Sequence, residues 1–445
     1  MAALLTSNQR AVLTTTVLAL LATQVPSCST KSNADDDEPL YTGGTVSYPY
    51  PTGGRPAGGA IAAGGKLNTG GGLIFIGSGG TRSIGGNVAT GGVVATGGRS
   101  GDGGPNDQYV VSLIQSSQAN ASAILEDEIE SMVSDAVTQA GGLDFIKDGM
   151  TVVLKPNLLS YLKACWMGTD TLSPTVNGVT TDWRVTKAVA ELVRAKNPTG
   201  QILVMEGSNR NTTTAFQVLG YTSANFGSSV NAFIPLEGPS GCASRDQTDL
   251  VQKPGASGKL YWVNAQYFDA DILISIGAMK THSNAGTTGT VKNIGIGATP
   301  NAKYSVSTSN DDCKRNMSDK TQSSYIEHGD AASLGAFVAD FYSVRPPDFA
   351  IMDGLQGLQN GPCSVVYTDT DRMNMRLILA SKNAVALDTI EALIMNCDPR
   401  KVPVLTTAES YGLGTTDSTR ITVVGNKQVA DVKKSFISGV PGVCN

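Results

Sequence analysis

Histidine is almost missing: this chain of 445 residues has two, His282 and His328. Aromatic residues make up 6% of the chain, and lysine and arginine never gather into a block, while the formal net charge is -5. That pattern argues against nucleic acid as a partner, because phosphate recognition needs a clustered cationic footprint. No Cys-x-x-Cys pair occurs among the seven cysteines, so neither an iron–sulfur cluster nor a cysteine-rich zinc site is expected. The Walker pattern for nucleoside triphosphates is absent as well. The apolar run Ala11 to Thr23 is too short for a convincing membrane span.

That short run instead has the layout of an export signal. Arg10 supplies the positive flank, and Val25-Pro26-Ser27-Cys28 resembles a bacterial lipoprotein cleavage box. The expectation is an exported chain, lipid-anchored at Cys28 to the cell envelope or surface; ordinary secretory cleavage nearby is the alternative. Six cysteines then remain, an even number that suits three disulfides in an oxidising compartment. Cys397 and Cys444 are expected to pair, because they bracket the C-terminal unit.

Residues 29–106 read as a tether. They hold the acidic patch Asp35-Asp36-Asp37-Glu38 and repeated Thr-Gly-Gly units such as Thr42-Gly43-Gly44 and Thr96-Gly97-Gly98. Such composition buries too little apolar surface to offset backbone entropy, so this segment is expected to be disordered.

From residue 107 to 445 short β-branched runs alternate with helical periodicities. Strands are expected at Tyr109 to Ile114, Thr151 to Leu154, Gln201 to Met205, Leu260 to Val263, Ile272 to Ile276, Phe349 to Met352, Met375 to Ala380 and Ile421 to Val424. Helices are expected between them, one starting at an Asp182 cap. Runs that do not alternate apolar with polar imply strands buried on both sides. The expected fold is therefore α/β: a mostly parallel sheet covered by helices on both faces. Residues 225–258 and 300–325, polar and rich in Ser, Gly and Asn, read as insertions.

Four expected strand ends carry charge: Lys155-Pro156-Asn157, Glu206-Gly207-Ser208, Lys280-Thr281-His282 and Asp353-Gly354. Ligands of open parallel sheets bind outside the carboxyl ends of the strands. Both histidines are expected in polar loops there, His282 just past a strand and His328 at the mouth of a helix. The segment Thr287-Thr288-Gly289-Thr290-Val291-Lys292-Asn293-Ile294-Gly295 reads as a loop whose backbone N–H groups and Lys292 can meet a carboxylate or phosphate. Lys155, Lys280 and Lys292 favour an anion over a cation. A divalent metal held by His282, His328, Glu206 and Asp353 is the competing arrangement.

These pieces, with Thr180-Thr181-Asp182, Gly361-Pro362, Ala380-Ser381, Ala384-Val385-Ala386-Leu387-Asp388 and Tyr411-Gly412-Leu413-Gly414, occur in an order that resembles the bacterial and archaeal DUF 362 family (domain of unknown function 362) over residues near 150–425. The resemblance implies an α/β domain of unassigned activity. Some members carry ferredoxin-type cysteine motifs, which this chain lacks. The functional expectation is an enzyme acting on a small anionic molecule by acid–base chemistry. In it His282 transfers the proton, Lys280 and Lys155 stabilise charge on oxygen, and Asp353 orients a neighbour. Asn157, Thr181, Asp182, Glu206, Lys292, Asn293 and His328 complete the expected ligand site. The alternative is a surface lipoprotein that binds a ligand or metal without turnover.

Overall fold

A computed structural model describes residues 108–444, apart from residues 166, 238–241, 243–248, 307–308, 310, 312, 318–319, 321–323 and 363–368. The expected export signal, the Cys28 anchor and the Gly-rich tether lie outside the described residues.

The principal strands are β1 (Tyr109–Gln115), β2 (Thr151–Pro156), β3 (Gln201–Glu206), β4 (Ala232–Pro235), β5 (Ile272–His282), β6 (Phe349–Leu358), β7 (Arg372–Ser381) and β8 (Ile421–Gly425). They form a sheet in the order β8-β1-β7-β6-β5-β2-β3-β4. Strand β7 runs antiparallel to β1 and β6, while every other neighbouring pair in that order is parallel. The fold is α/β with a mixed, mostly parallel sheet.

Alternation along each strand sends successive side chains to opposite faces, and both faces are apolar here. Val152, Leu154, Ile202, Val204, Ile272 and Ile274 face one core. Over it lie α1 (Glu126–Gln139) and α2 (Trp183–Lys196), through Ile129, Val133, Val185 and Val189. Val153, Leu203, Leu273, Ala350 and Met352 face the other core. That side is covered by α3 (Gly289–Gly297), α4 (Ala331–Val344), α5 (Ala384–Ile394) and α6 (Pro403–Ser410). Each buried Leu, Ile, Val or Phe contributes roughly 1.5–3 kcal/mol, which is why the strands needed no polar face. Asp182 caps α2 as expected, accepting the Arg184 N–H at 3.1 Å.

Three expectations need correction. Strand β5 does not stop at Ile276: it runs eleven residues, all buried, through Lys280 to His282. The extension has backbone partners because Gly286–Thr287 folds back against Thr281 and His282, and Leu358 of β6 pairs with Lys280. His282 is therefore a strand residue, and Asp353 likewise lies within β6 rather than at its end. The segment 225–258 is not wholly an insertion, since it supplies edge strand β4. Its remainder includes Leu250–Pro254, which pairs with Leu260–Asn264 in a hairpin off the main sheet. Finally, residues 289–297 form a buried helix rather than a loop. Three closely spaced glycines mask its periodicity.

The expected Cys397–Cys444 disulfide is present, together with a Cys242–Cys313 disulfide, and Cys165 is also disulfide-bonded.

Candidate functional site

At the carboxyl ends of β2, β3 and β5 lies a small cleft of about 40 Å³, bounded by Asn157, Glu206, Lys280, Lys292, Asn293 and Arg315 among others. Its floor is an ion pair. Lys155, wholly buried, donates from Nζ to the Glu206 carboxylate, to Asn293 Oδ1 at 3.1 Å and to the Pro156 carbonyl at 2.9 Å. The other Glu206 oxygen accepts the Leu158 N–H at 3.1 Å. Asn293 returns its amide to the Lys155 carbonyl at 2.8 Å and to Ser275 Oγ at 3.1 Å, which ties α3 to β2 and β5. A side chain at Gly297 would place its Cβ 2.6 Å from Lys155 Nζ, so the lysine would have to shift to admit one.

Two further lysines lack a carboxylate partner. Lys280 Nζ donates to the Val179 carbonyl and, at 3.0 Å, to Asn157 Oδ1, both neutral acceptors. Burial, then repulsion from Lys292, pull Lys280 down to about 7. Lys292 makes no hydrogen bond or ion pair among the described residues, and burial alone brings it down to about 8. Beside them the buried hydroxyl of Thr288 has no hydrogen-bond partner among the described residues.

Arg315 was not anticipated. It lies in the segment 300–325 that composition marks as an insertion, and it is 2% exposed. Its guanidinium donates to the carbonyls of Gly207 (2.7 Å) and Cys313 (3.4 Å), beside the Cys242–Cys313 disulfide. A Cβ at Gly207 would come within 2.8 Å of it, so Gly207 admits the arginine to the cleft. No local pattern in the sequence could have joined these residues.

The other expected site residues stand elsewhere. Thr181 bridges two strand ends, donating to the Ile276 carbonyl at 2.8 Å and accepting the Asn157 N–H at 3.0 Å. The Asp353 carboxylate accepts the Asp182 N–H at 2.8 Å and the Leu355 N–H at 3.0 Å, so it fixes the start of α2 rather than lining the cleft. Burial, then the neighbouring Asp182 carboxylate, push Asp353 up to about 7. Asp182 is itself engaged by Arg184 at 2.7 Å.

The two histidines come together, with ring centroids 5.8 Å apart. His328 Nδ1 lies 3.2 Å from the Asn284 amide nitrogen. His282 Nδ1 accepts the backbone N–H groups of Asn284 (3.0 Å) and Ala285 (3.2 Å). An imidazole nitrogen that accepts cannot carry the proton, so the neutral ring bears its hydrogen on Nε2 and offers a donor. Burial, then Lys292, hold His282 well below its usual range and bring His328 to about 4. Neither ring lines the cleft. The expected proton-transfer role of His282 therefore has no free basic nitrogen to perform it. A metal at Nε2 would require Nδ1 to be protonated and so lose both backbone donors.

The helix-terminus reading of residues 287–295 is also corrected. The Asp388 carboxylate takes the N–H groups of Thr290 (2.7 Å) and Val291 (2.8 Å) and the Thr290 hydroxyl (2.7 Å). Those donors are satisfied within the protein, and the polar side chains that α3 brings to the cleft are those of Lys292 and Asn293. Among the described residues, Glu237, Cys242 and Cys313 bring ligand-type atoms together. The two sulfurs are joined to each other and offer no thiolate.

Residues 152–392, more than half the chain, match a family model described as "Domain of unknown function (DUF362)". The thylakoid-associated protein sll1697 of Synechocystis sp. is 25% identical over 191 residues, which are 41% of this chain and 52% of that protein. The chain thus spans about half the length of this curated relative. Among solved structures, the lactate racemase apoprotein from Thermoanaerobacterium thermosaccharolyticum aligns over 64% of this chain and 56% of its own. At 13% identity and a TM-score of 0.34, that likeness carries no argument.

Proposed function

We propose, from the premise that this chain belongs to the DUF362 family, that its cleft binds a small anionic carboxylate or phosphate and moves a proton on it. One observation carries the reading: Lys280 and Lys292 are buried in the cleft wall with no carboxylate partner. Uncompensated charge in a desolvated site is costly unless a ligand supplies the opposite sign. Lys292 and Arg315 hold the anion. Lys280, brought to about 7, exchanges the proton, since a group that titrates near the working pH serves as both acid and base. The Lys155–Glu206 pair sets the floor and keeps Asn293 in place. His282 and His328 stay neutral behind Lys292.

The test incubates the protein in heavy water with carboxylates and phosphates that stabilise it thermally. Deuterium should enter the ligand with the native protein, and Lys280→Met should stop exchange while weaker binding persists through Lys292 and Arg315. Binding without exchange in the native protein would favour the other reading, a capture protein without turnover.

The proposal extends to location. Five cysteines beyond the expected anchor are disulfide-bonded, Cys165 with Cys242 to Cys313 and Cys397 to Cys444, a pattern suited to an oxidising compartment. Export through the Arg10–Thr23 segment and lipidation at Cys28 would place the domain at the envelope surface on its tether. Metabolic labelling with a clickable fatty acid checks this, and a Cys28→Ala chain that still labels would remove it.

A further inference from the structure

We propose, resting on the anion-site reading above, that the ligand is a small dianion whose two negative charges answer Lys280 and Lys292, with Arg315 and the Thr288 hydroxyl completing its hydrogen bonds.

The charge inventory around the cleft points to two. Lys155 is neutralised by Glu206. Arg315 donates to backbone carbonyls and, with Glu206 already paired to Lys155, has Glu237 as its remaining acidic neighbour. The remaining acids nearby are committed or neutral. Asp388 is spent on the first turn of α3. Glu391 is fully buried, and burial followed by the Asp388 charge pushes it well above the ordinary carboxylate range, with Lys280 acting in the opposite direction. Among the described residues Lys280 and Lys292 are left without a paired carboxylate. A monoanion would satisfy one and leave the other exposed to the same desolvation cost. The cleft is small, about 40 Å³, room for only a few water-sized groups, so its ligand must be compact, as a short dicarboxylate or a phosphate monoester is. Thr288 adds a buried hydroxyl on the cleft wall that no group among the described residues engages.

Binding should also draw protons from solution. Lys280 faces Lys292, Glu206, Glu391 and Lys155, and Lys292 has the neutral rings of His282 and His328 beside it. Near pH 8 both lysines are partly deprotonated in the empty cleft, so a dianion that favours their charged forms is bound together with protons.

The experiment is calorimetric titration of the full chain near pH 8, in two buffers of different ionisation enthalpy. It uses matched probes: malonate against its monoamide, and methyl phosphate against dimethyl phosphate. The dianion of at least one pair should bind roughly tenfold or more tighter than its partner, with a buffer-dependent heat that reports proton uptake. Lys292→Gln should bring that dianion to the affinity of its monoanionic partner. Matched probes binding within about twofold of each other would overturn the dianion assignment and leave an anion site standing. If no probe of either charge binds, the anion-site reading falls with it. A dianion preference that survives in a folded Lys292→Gln protein also overturns the assignment, and the probe comparison on the native chain decides the matter even if that variant does not fold.

Discussion

Replacing Glu206 by glutamine isolates the ion pair beneath the cleft. Lys155 is wholly buried and its partner nearly so, so removing the charge of Glu206 strands an ammonium while the amide oxygen can still accept from Leu158. Breaking a buried pair in this way costs about 3–5 kcal/mol. There is a ceiling, because Lys155 can release its proton instead. Near pH 7 that escape costs about 4–5 kcal/mol, taking the unfolded lysine near 10.4 at about 1.36 kcal/mol per pH unit; near pH 9 it costs only about 2 kcal/mol. Glu206→Gln should therefore lose about 3–4 kcal/mol near pH 7 and about 2 kcal/mol or less near pH 9. Urea unfolding followed by circular dichroism, with the slope checked for constancy, gives both values. Lys155→Met combined with Glu206→Gln should be less destabilised than the single losses summed, since the pair is then removed together. A deficit that does not change between the two pH values, or stays below about 1 kcal/mol at both, would refute the argument that a charge is stranded.

Two further expectations follow from the same geometry. Lys280 and Lys292 titrate near 7 and 8 when folded but near 10.4 when unfolded, so between about pH 8 and 10 the unfolded chain binds more protons and ligand-free stability should rise with pH; in urea titrations Lys292→Met should flatten that rise, and an unchanged slope would exclude Lys292 as its source. Asp388→Ala should lower stability by about 2–4 kcal/mol, because it orphans two buried N–H groups and a hydroxyl at the start of α3, and amide exchange of Thr290 and Val291 should speed up more than that of α2.

Much of the fold was legible because its strands are covered on both faces: a run such as Val152-Val153-Leu154 has no polar side to disguise it. The charged strand ends were legible for a related reason. Parallel strands bring their carboxyl ends to one edge, so Lys155 and Glu206 had to be neighbours once the sheet formed; Lys280 joins them from the extension of β5, five residues past the Ser275 that pairs with Lys155. The histidines misled. Their scarcity suggested chemistry, yet His282 spends its lone pair on two backbone N–H groups, a role set by how Asn284 and Ala285 turn. Arg315 was missed because its access depends on Gly207, more than a hundred residues earlier, and on the cysteine link beside it.

The chain by itself determined where most of the strands and helices lie and that Lys155 and Glu206 close their strands, because those follow from local periodicity and burial. Tertiary structure alone decided which polar groups remain free for a ligand. Asp388 reaches 97 residues back to the Val291 N–H, Asp353 reaches 171 residues to the Asp182 N–H, and each contact uses up a group that composition would have credited to the site. A side chain's chemistry depends on which partners it has left, and partners across the sheet are fixed by packing, not by spacing along the chain.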